Sequence, residues 1–187
     1  MKRFLLLFLA TVVTAWSASA QLSVSQLRTE HLTDPVGIGE RRPLLSWEVS
    51  DASRRGVTQS AYEIRVKSGG RTVWRTGKVA SAESAGVFYD GTPLTSDTRY
   101  TWQVRVWDDR GKASAWSRPA FWRTGLFDVG EWQARWIEPA VSDDLAAMFR
   151  RTFRVTKPVA EATVYVTAHG IYEASVNGHR VSDDLLT

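Results

Sequence analysis

The sequence predicts an all-β protein made of two β-sandwiches in tandem, and three observations carry that prediction. Apolar and polar residues alternate in several short runs. The clearest is Thr98 to Asp108, where Tyr100, Trp102, Val104 and Val106 interleave with Thr101, Gln103 and Arg105. A two-residue period puts one face of a strand in a core and the other in water. Turn-forming residues punctuate these runs at short intervals, as in Leu94-Thr95-Ser96-Asp97, Asp108-Asp109-Arg110-Gly111 and Ser68-Gly69-Gly70-Arg71. A helical period is absent throughout.

Composition bounds the function classes. A chain of 187 residues that is 43% hydrophobic holds one or two domains with a true core, and wholesale disorder is excluded. Lys2 and Arg3 supply two of the +4 formal charges, and no Lys/Arg block tracks phosphates, so no nucleic-acid partner is predicted. Cysteine is absent, which removes disulfides, thiolate metal sites and Cys nucleophiles together. Residues 1–20 read as a signal peptide: Lys2-Arg3, an apolar run from Phe4 to Val13, and the Ala18-Ser19-Ala20 cleavage pattern. The apolar run is short for a bilayer span. The expected location is therefore secreted or periplasmic, with no membrane contact after cleavage.

The strands follow in order. Leu22 to Leu32 is a first strand with Leu22, Val24 and Leu27 inward, and residues 34–39 form a turn and loop. Pro43 opens Leu44 to Ser50, whose Leu45, Trp47 and Val49 face the core. After a polar loop, Ala61 to Lys67 buries Tyr62, Ile64 and Val66, and the Gly69-Gly70 turn leads into 72–76. Gly86 to Tyr89 is short, the Thr98–Asp108 strand follows, and 113–122 is the last, kinked at Trp116-Ser117-Arg118-Pro119. About seven strands within roughly 100 residues suit an immunoglobulin-like sandwich over 21–124.

Residues 125–130 read as a Gly-bounded linker, and a second unit runs from 131 to 187. Its expected strands are 147–155, 162–168 and Ile171 to Val176, with Asn177-Gly178 as a hairpin turn into His179-Arg180-Val181. Three or four strands do not close a sandwich. The second unit is thus expected to be truncated, jelly-roll-like in its complete form, and poorly packed after about Gly125. A small complete sheet docked on the first domain is the alternative.

Trp47, the Leu94…Thr98-Arg99-Tyr100 corner and Trp116-Ser117-x-Pro119 make the first domain similar to a fibronectin type III module. Beyond it stand Trp132-x-x-x-Trp136-Ile137, Phe149-x-x-x-Phe153 and the run from Tyr165 through Gly170-Ile171-Tyr172 and Asn177-Gly178 to Val181. With Leu27-Arg28-x-Glu30 and Pro43-x-x-Ser46-Trp47, these resemble the N-terminal region of bacterial α-L-rhamnosidases, glycoside hydrolase family 78. The resemblance implies inverting hydrolysis of terminal α-L-rhamnosyl bonds by two carboxyls, and it places them in a later α/α barrel that this chain does not reach. It implies no catalytic residue and no cofactor here. The implied partner is a rhamnose-containing glycan or glycoside, met through other modules. A stand-alone carbohydrate-binding or adhesion protein and a module of an unrelated secreted hydrolase are the alternatives.

Site chemistry is sparse. Asp108-Asp109, Asp143-Asp144 and Asp183-Asp184 are adjacent pairs, whereas a glycosidase needs two carboxyls facing one cleft; they read as turn formers, without the spacing of a calcium loop. His31, His169 and His179 lack zinc spacing, and His169 and His179 flank one hairpin. No metal site is predicted. Trp47 and Trp102 fit core positions. Trp74, Trp107, Trp116, Trp122, Trp132 and Trp136 include several expected to face water, where indole either stacks on sugar or packs against other modules.

Overall fold

The computed structural model describes residues 22–140 and 146–181, and they form two units that divide between Arg135 and Trp136. The expected signal segment 1–20 and the pairs Asp143-Asp144 and Asp183-Asp184 lie outside the described residues.

The first unit is built on a central strand, β7 (Arg99–Asp108), whose Tyr100, Trp102, Val104 and Val106 are all buried. It pairs along its length with β4 (Gln59–Ser68), in the register Ile64 to Val104 and Glu63 to Arg105. β5 (Arg71–Arg75) extends the sheet beyond β4, and β8 (Ala120–Thr124) extends it on the other side. At the far edge β2 (Val36–Ile38) runs parallel to β8, so a segment expected as loop is a strand. Its three residues carry too little alternation to be read from sequence. Three more strands, β1 (Ser23–Thr29), β3 (Leu44–Ser50) and β6 (Val87–Phe88), form the second sheet in the order β1-β3-β6.

One core fills the space between the sheets. Leu45 and Trp47 from β3 meet Ile64, Val66, Trp102, Val104 and Trp122 from the larger sheet. The Trp47 ring stands edge-on to Tyr62 at 5.3 Å, and its indole N–H donates to Gln59 Oε1 at 3.0 Å. The corner expected at Tyr100 is formed: its hydroxyl oxygen accepts the Thr95 N–H at 3.0 Å, with Leu94 buried beside it.

Two departures from simple alternation have local causes. In β1 the inward set switches from Leu22 and Val24 to Leu27 and Thr29, because Gln26 takes a positive φ of 49° and the register with β3 slips between Ser25 and Arg28. A bulge changes parity, so both halves of the strand reach the core. The strand also stops early: Glu30 and His31 have positive φ, and Thr29 and Leu32 close a tight turn by two mutual backbone bonds. At the other end, residues 113–119 are not the expected strand but a stretched edge along β7. Ser117 and Ser114 donate their N–H groups to the carbonyls of Val104 and Val106 at 2.8 Å, and their hydroxyls accept the N–H groups of those same residues. Each serine thus satisfies both backbone groups of one β7 residue.

The 125–130 segment packs against this unit. Gly125 N–H donates to Ile38 O, Phe127 packs on the core, and Asp128 pairs with Arg41 at 3.0 Å. Glu131 accepts the Ser96 hydroxyl at 2.6 Å and the N–H groups of Phe127 and Asp128. The Ser96 bond leads, and these donors together hold its carboxyl below the ordinary glutamate value. Poor packing was expected from about Gly125 onward; it begins later.

In the second unit the Asn177-Gly178 hairpin is present. Asn177 and Gly178 have φ of 52° and 80° and join β9 (Ser175–Val176) to β10 (His179–Arg180). The strands expected at 147–155 and 162–168 are not formed, and of the one expected at Ile171 to Val176 only Ser175–Val176 is a strand. Alternation supplies a face but not a ladder, and no partner strand meets them among the described residues. Met148, Phe153 and Ile171 are 92%, 76% and 74% exposed as a result.

Candidate functional site: an aromatic and cationic sheet face

The odd-numbered side chains of β7 and their cross-strand partners define the outer face of the five-stranded sheet. Glu63 stands opposite Arg105, Arg65 opposite Gln103 and Arg75, Lys67 opposite Thr101, and Arg99 opposite Arg123. Facing residues sit within reach of one another across a pleated sheet, so this face is a set of contacts.

At its centre the Glu63 carboxylate is 3% exposed and clamped from two sides. Arg75 Nε donates to Oε1 at 2.6 Å, and Arg105 donates to Oε2 through Nε at 2.7 Å. Burial pushes the Glu63 carboxyl up, but the bonds and charges of Arg75 and Arg105 outweigh it and hold the group below its ordinary value. The expected solvated outer face of β4 is therefore corrected: Glu63 and Ala61 are both buried.

Cations held over aromatic rings surround the clamp. Arg65 lies 4.2 Å from the Trp116 ring centre, and Arg105 lies 5.0 Å from both Trp116 and Trp107. Lys78 covers Trp107 at 4.8 Å, and Arg99 sits over Phe121 at 3.6 Å. The indoles of Trp107 and Trp116 thus have cations against their faces, which is where a sugar ring would stack. Trp122 is fully buried, stacked on Tyr100 at 5.3 Å, and Trp74 meets Tyr89 edge-on at 5.1 Å. Trp132 is half-buried. Trp136, 65% exposed, stacks on His169 at 4.2 Å within the second unit.

The acid and histidine candidates are not gathered into a cleft. Asp108 is buried as a turn former, accepting the N–H groups of Arg110 and Lys112 at 3.0 and 2.7 Å, while Asp109 pairs with Arg54. His31 is exposed in its turn, and His179 is exposed in β10. Among the described residues no group of three or more His, Asp or Glu is arranged to hold a metal ion. A shallow depression lined by Arg41, Arg42, Tyr89, Asp90 and Leu94 has its charges already paired, Arg42 with Asp90 at 3.2 Å and Arg41 with Asp128. The cationic half of the sheet face was missed from sequence. Its signal was present, because Arg65, Lys67, Arg99 and Arg105 all fall on the polar parity of their strands.

Comparison with known proteins agrees with this architecture. Residues 24–128 match the family model described as the Rha78A-like, N-terminal immunoglobulin domain, and residues 157–187 match the α-L-rhamnosidase N-terminal domain. An α-L-rhamnosidase of Streptomyces avermitilis is 37% identical over 190 residues, and one of Formosa agariphila is 34% identical over 185. The alignments cover 86% and 82% of this chain, but only 18% and 19% of those enzymes. The crystal structure of the Streptomyces avermitilis enzyme complexed with L-rhamnose superposes with a TM-score of 0.61 and 44% identity, over 64% of this chain and 12% of that one.

Proposed function

We propose, from the premise that the chain belongs to the Rha78A-like N-terminal immunoglobulin family, that it is the non-catalytic N-terminal portion of an α-L-rhamnosidase. In this reading the intact enzyme removes terminal α-L-rhamnosyl groups from glycans or glycosides with inversion. The two carboxyls required for that act across a sugar ring in a helical barrel outside these residues. The present chain supplies a rigid sandwich over 21–124, the 125–130 segment and the start of a second sandwich over 131–187. It is exported to the periplasm or medium once residues 1–20 are removed.

The observation that carries the reading is that two family models, both from the N-terminal part of such enzymes, match in sequence along this one chain. The geometry supports a bracing role. Glu63, the buried outer-face carboxylate, is occupied by two arginines, and Asp108 is occupied by its own turn. Neither faces a second acid across a cleft. The coding DNA beyond Thr187 tests the assignment. A frame that continues into a helical barrel is the expected result, and a frame that encodes a different catalytic fold overturns it.

A further inference from the structure

We propose that the outer face of the five-stranded sheet binds a carboxylated polysaccharide through guanidinium and ammonium groups held over aromatic rings. The proposal deepens the functional reading and rests on it for the class of polymer.

The charge balance of this face is lopsided. It carries Arg65, Lys67, Arg75, Arg99, Arg105 and Arg123, with Lys78 beside Trp107. The carboxylates that meet them are Glu63, shared by Arg75 and Arg105, and Asp97, paired with Arg123. Arg65, Lys67, Lys78 and Arg99 have no carboxylate partner among the described residues. Over the whole chain the two signs nearly balance, 24 basic against 20 acidic residues, so the excess here is local. A local field of one sign concentrates ions of the other.

The geometry selects the ligand group. A guanidinium held over a ring keeps in-plane N–H groups for an acceptor; Arg65 gives its Nε and one Nη to Gln103 Oε1, and its remaining N–H groups, with those of Arg99, fit a carboxylate. Glu63 already demonstrates the fit on this face, with two arginines closing on its two oxygens. Stacking also limits the rotamers of Arg65 and Arg99 before any ligand arrives, which lowers the entropic cost of binding. Cations against the indole faces of Trp107 and Trp116 disfavour recognition by sugar stacking and leave charge as the discriminating term. A protein partner is disfavoured as well. Protein interfaces enrich arginine and aromatic rings but are depleted of lysine and of charge at their centre, whereas here Lys67 and Lys78 stand with the arginines around half-buried Trp107, Trp116 and Phe121.

The test uses the full chain and polygalacturonate as probe, with neutral dextran, dextran sulfate and polyglutamate beside it. Polygalacturonate is expected to bind and dextran not, with the Kd rising about tenfold or more between about 50 and 200 mM salt. The variant R65Q/K67Q/R99Q, which leaves the Glu63 clamp untouched, is expected to bind about tenfold or more weakly and still to unfold cooperatively, at a melting temperature lowered only by the lost contacts with Trp116, Phe121 and Gln103. R28Q/R55Q/R110Q removes equal charge elsewhere and is expected to bind like the parent. If the triple variant unfolds, K67Q and R99Q singly are each expected to weaken binding about twofold or more. No binding of polygalacturonate, equal binding of dextran or dextran sulfate, tighter binding of polyglutamate, or equal loss in the two triple variants overturns the proposal. None of these outcomes bears on whether the chain belongs to a rhamnosidase, which the downstream reading frame decides separately.

Discussion

Replacing Glu63 by Gln keeps the shape of the side chain and removes the charge that two arginines share. Charge-assisted hydrogen bonds contribute about 1.5–3 kcal/mol each. Here Arg75 is 60% and Arg105 32% exposed, so solvent screens their side of the pair, and desolvation of the carboxylate offsets more. The net loss for Glu63→Gln at neutral pH is therefore about 1–3 kcal/mol, seen as a fall of about 4–8 °C in Tm per kcal/mol for a domain this size. The sign of its pH dependence is fixed. The folded-state pKa lies below the ordinary 4.5, so the stabilisation is complete above that value and is lost as pH falls through the folded pKa. Asp51 and Glu131 are also held low, by Ser53 and by Ser96 respectively, but they act equally in both proteins and cancel in the difference. Urea unfolding followed by tryptophan fluorescence, at neutral pH and well below 4.5, measures the gap between parent and variant. It should narrow in acid. A gap that stays constant with pH, or a variant as stable as the parent at neutral pH, refutes the clamp.

Three further outcomes follow from the packing. Tyr100→Phe removes the acceptor of the Thr95 N–H and costs about 1–2 kcal/mol in urea unfolding, without changing the far-ultraviolet spectrum. Leu45→Ala opens a cavity at a fully buried position between the sheets and costs about 2–5 kcal/mol by the same assay. Trp116→Ala removes the ring beneath Arg65 and Arg105 and costs about 1 kcal/mol; a loss above that of Leu45→Ala contradicts its place on the outer face.

Much of the first unit was legible because its strands are long and one-sided. β7 and β3 could be read residue by residue, as could the Tyr100 corner, since alternation and corner chemistry both act over a few neighbouring residues. What escaped depends on distant partners. β2 is a strand only because Arg123 and Thr124 lie beside it, and the 113–119 edge is shaped by two serines bonding to β7. The second unit shows the same limit from the other side: 147–155 and 162–168 have strand-like composition, but no ladder meets them among the described residues. In the candidate site, tryptophan positions were visible as an aromatic surplus. Which of them carry cations became clear only when β4 and β7 were placed in register.

The most direct trial of a bracing, non-catalytic chain is incubation of the purified protein with an aryl α-L-rhamnoside while released phenol is followed by absorbance. Release at the rate of the buffer blank is the predicted result. Enzyme-dependent turnover that persists through purification and vanishes on unfolding would place an acid pair within these residues and contradict the account.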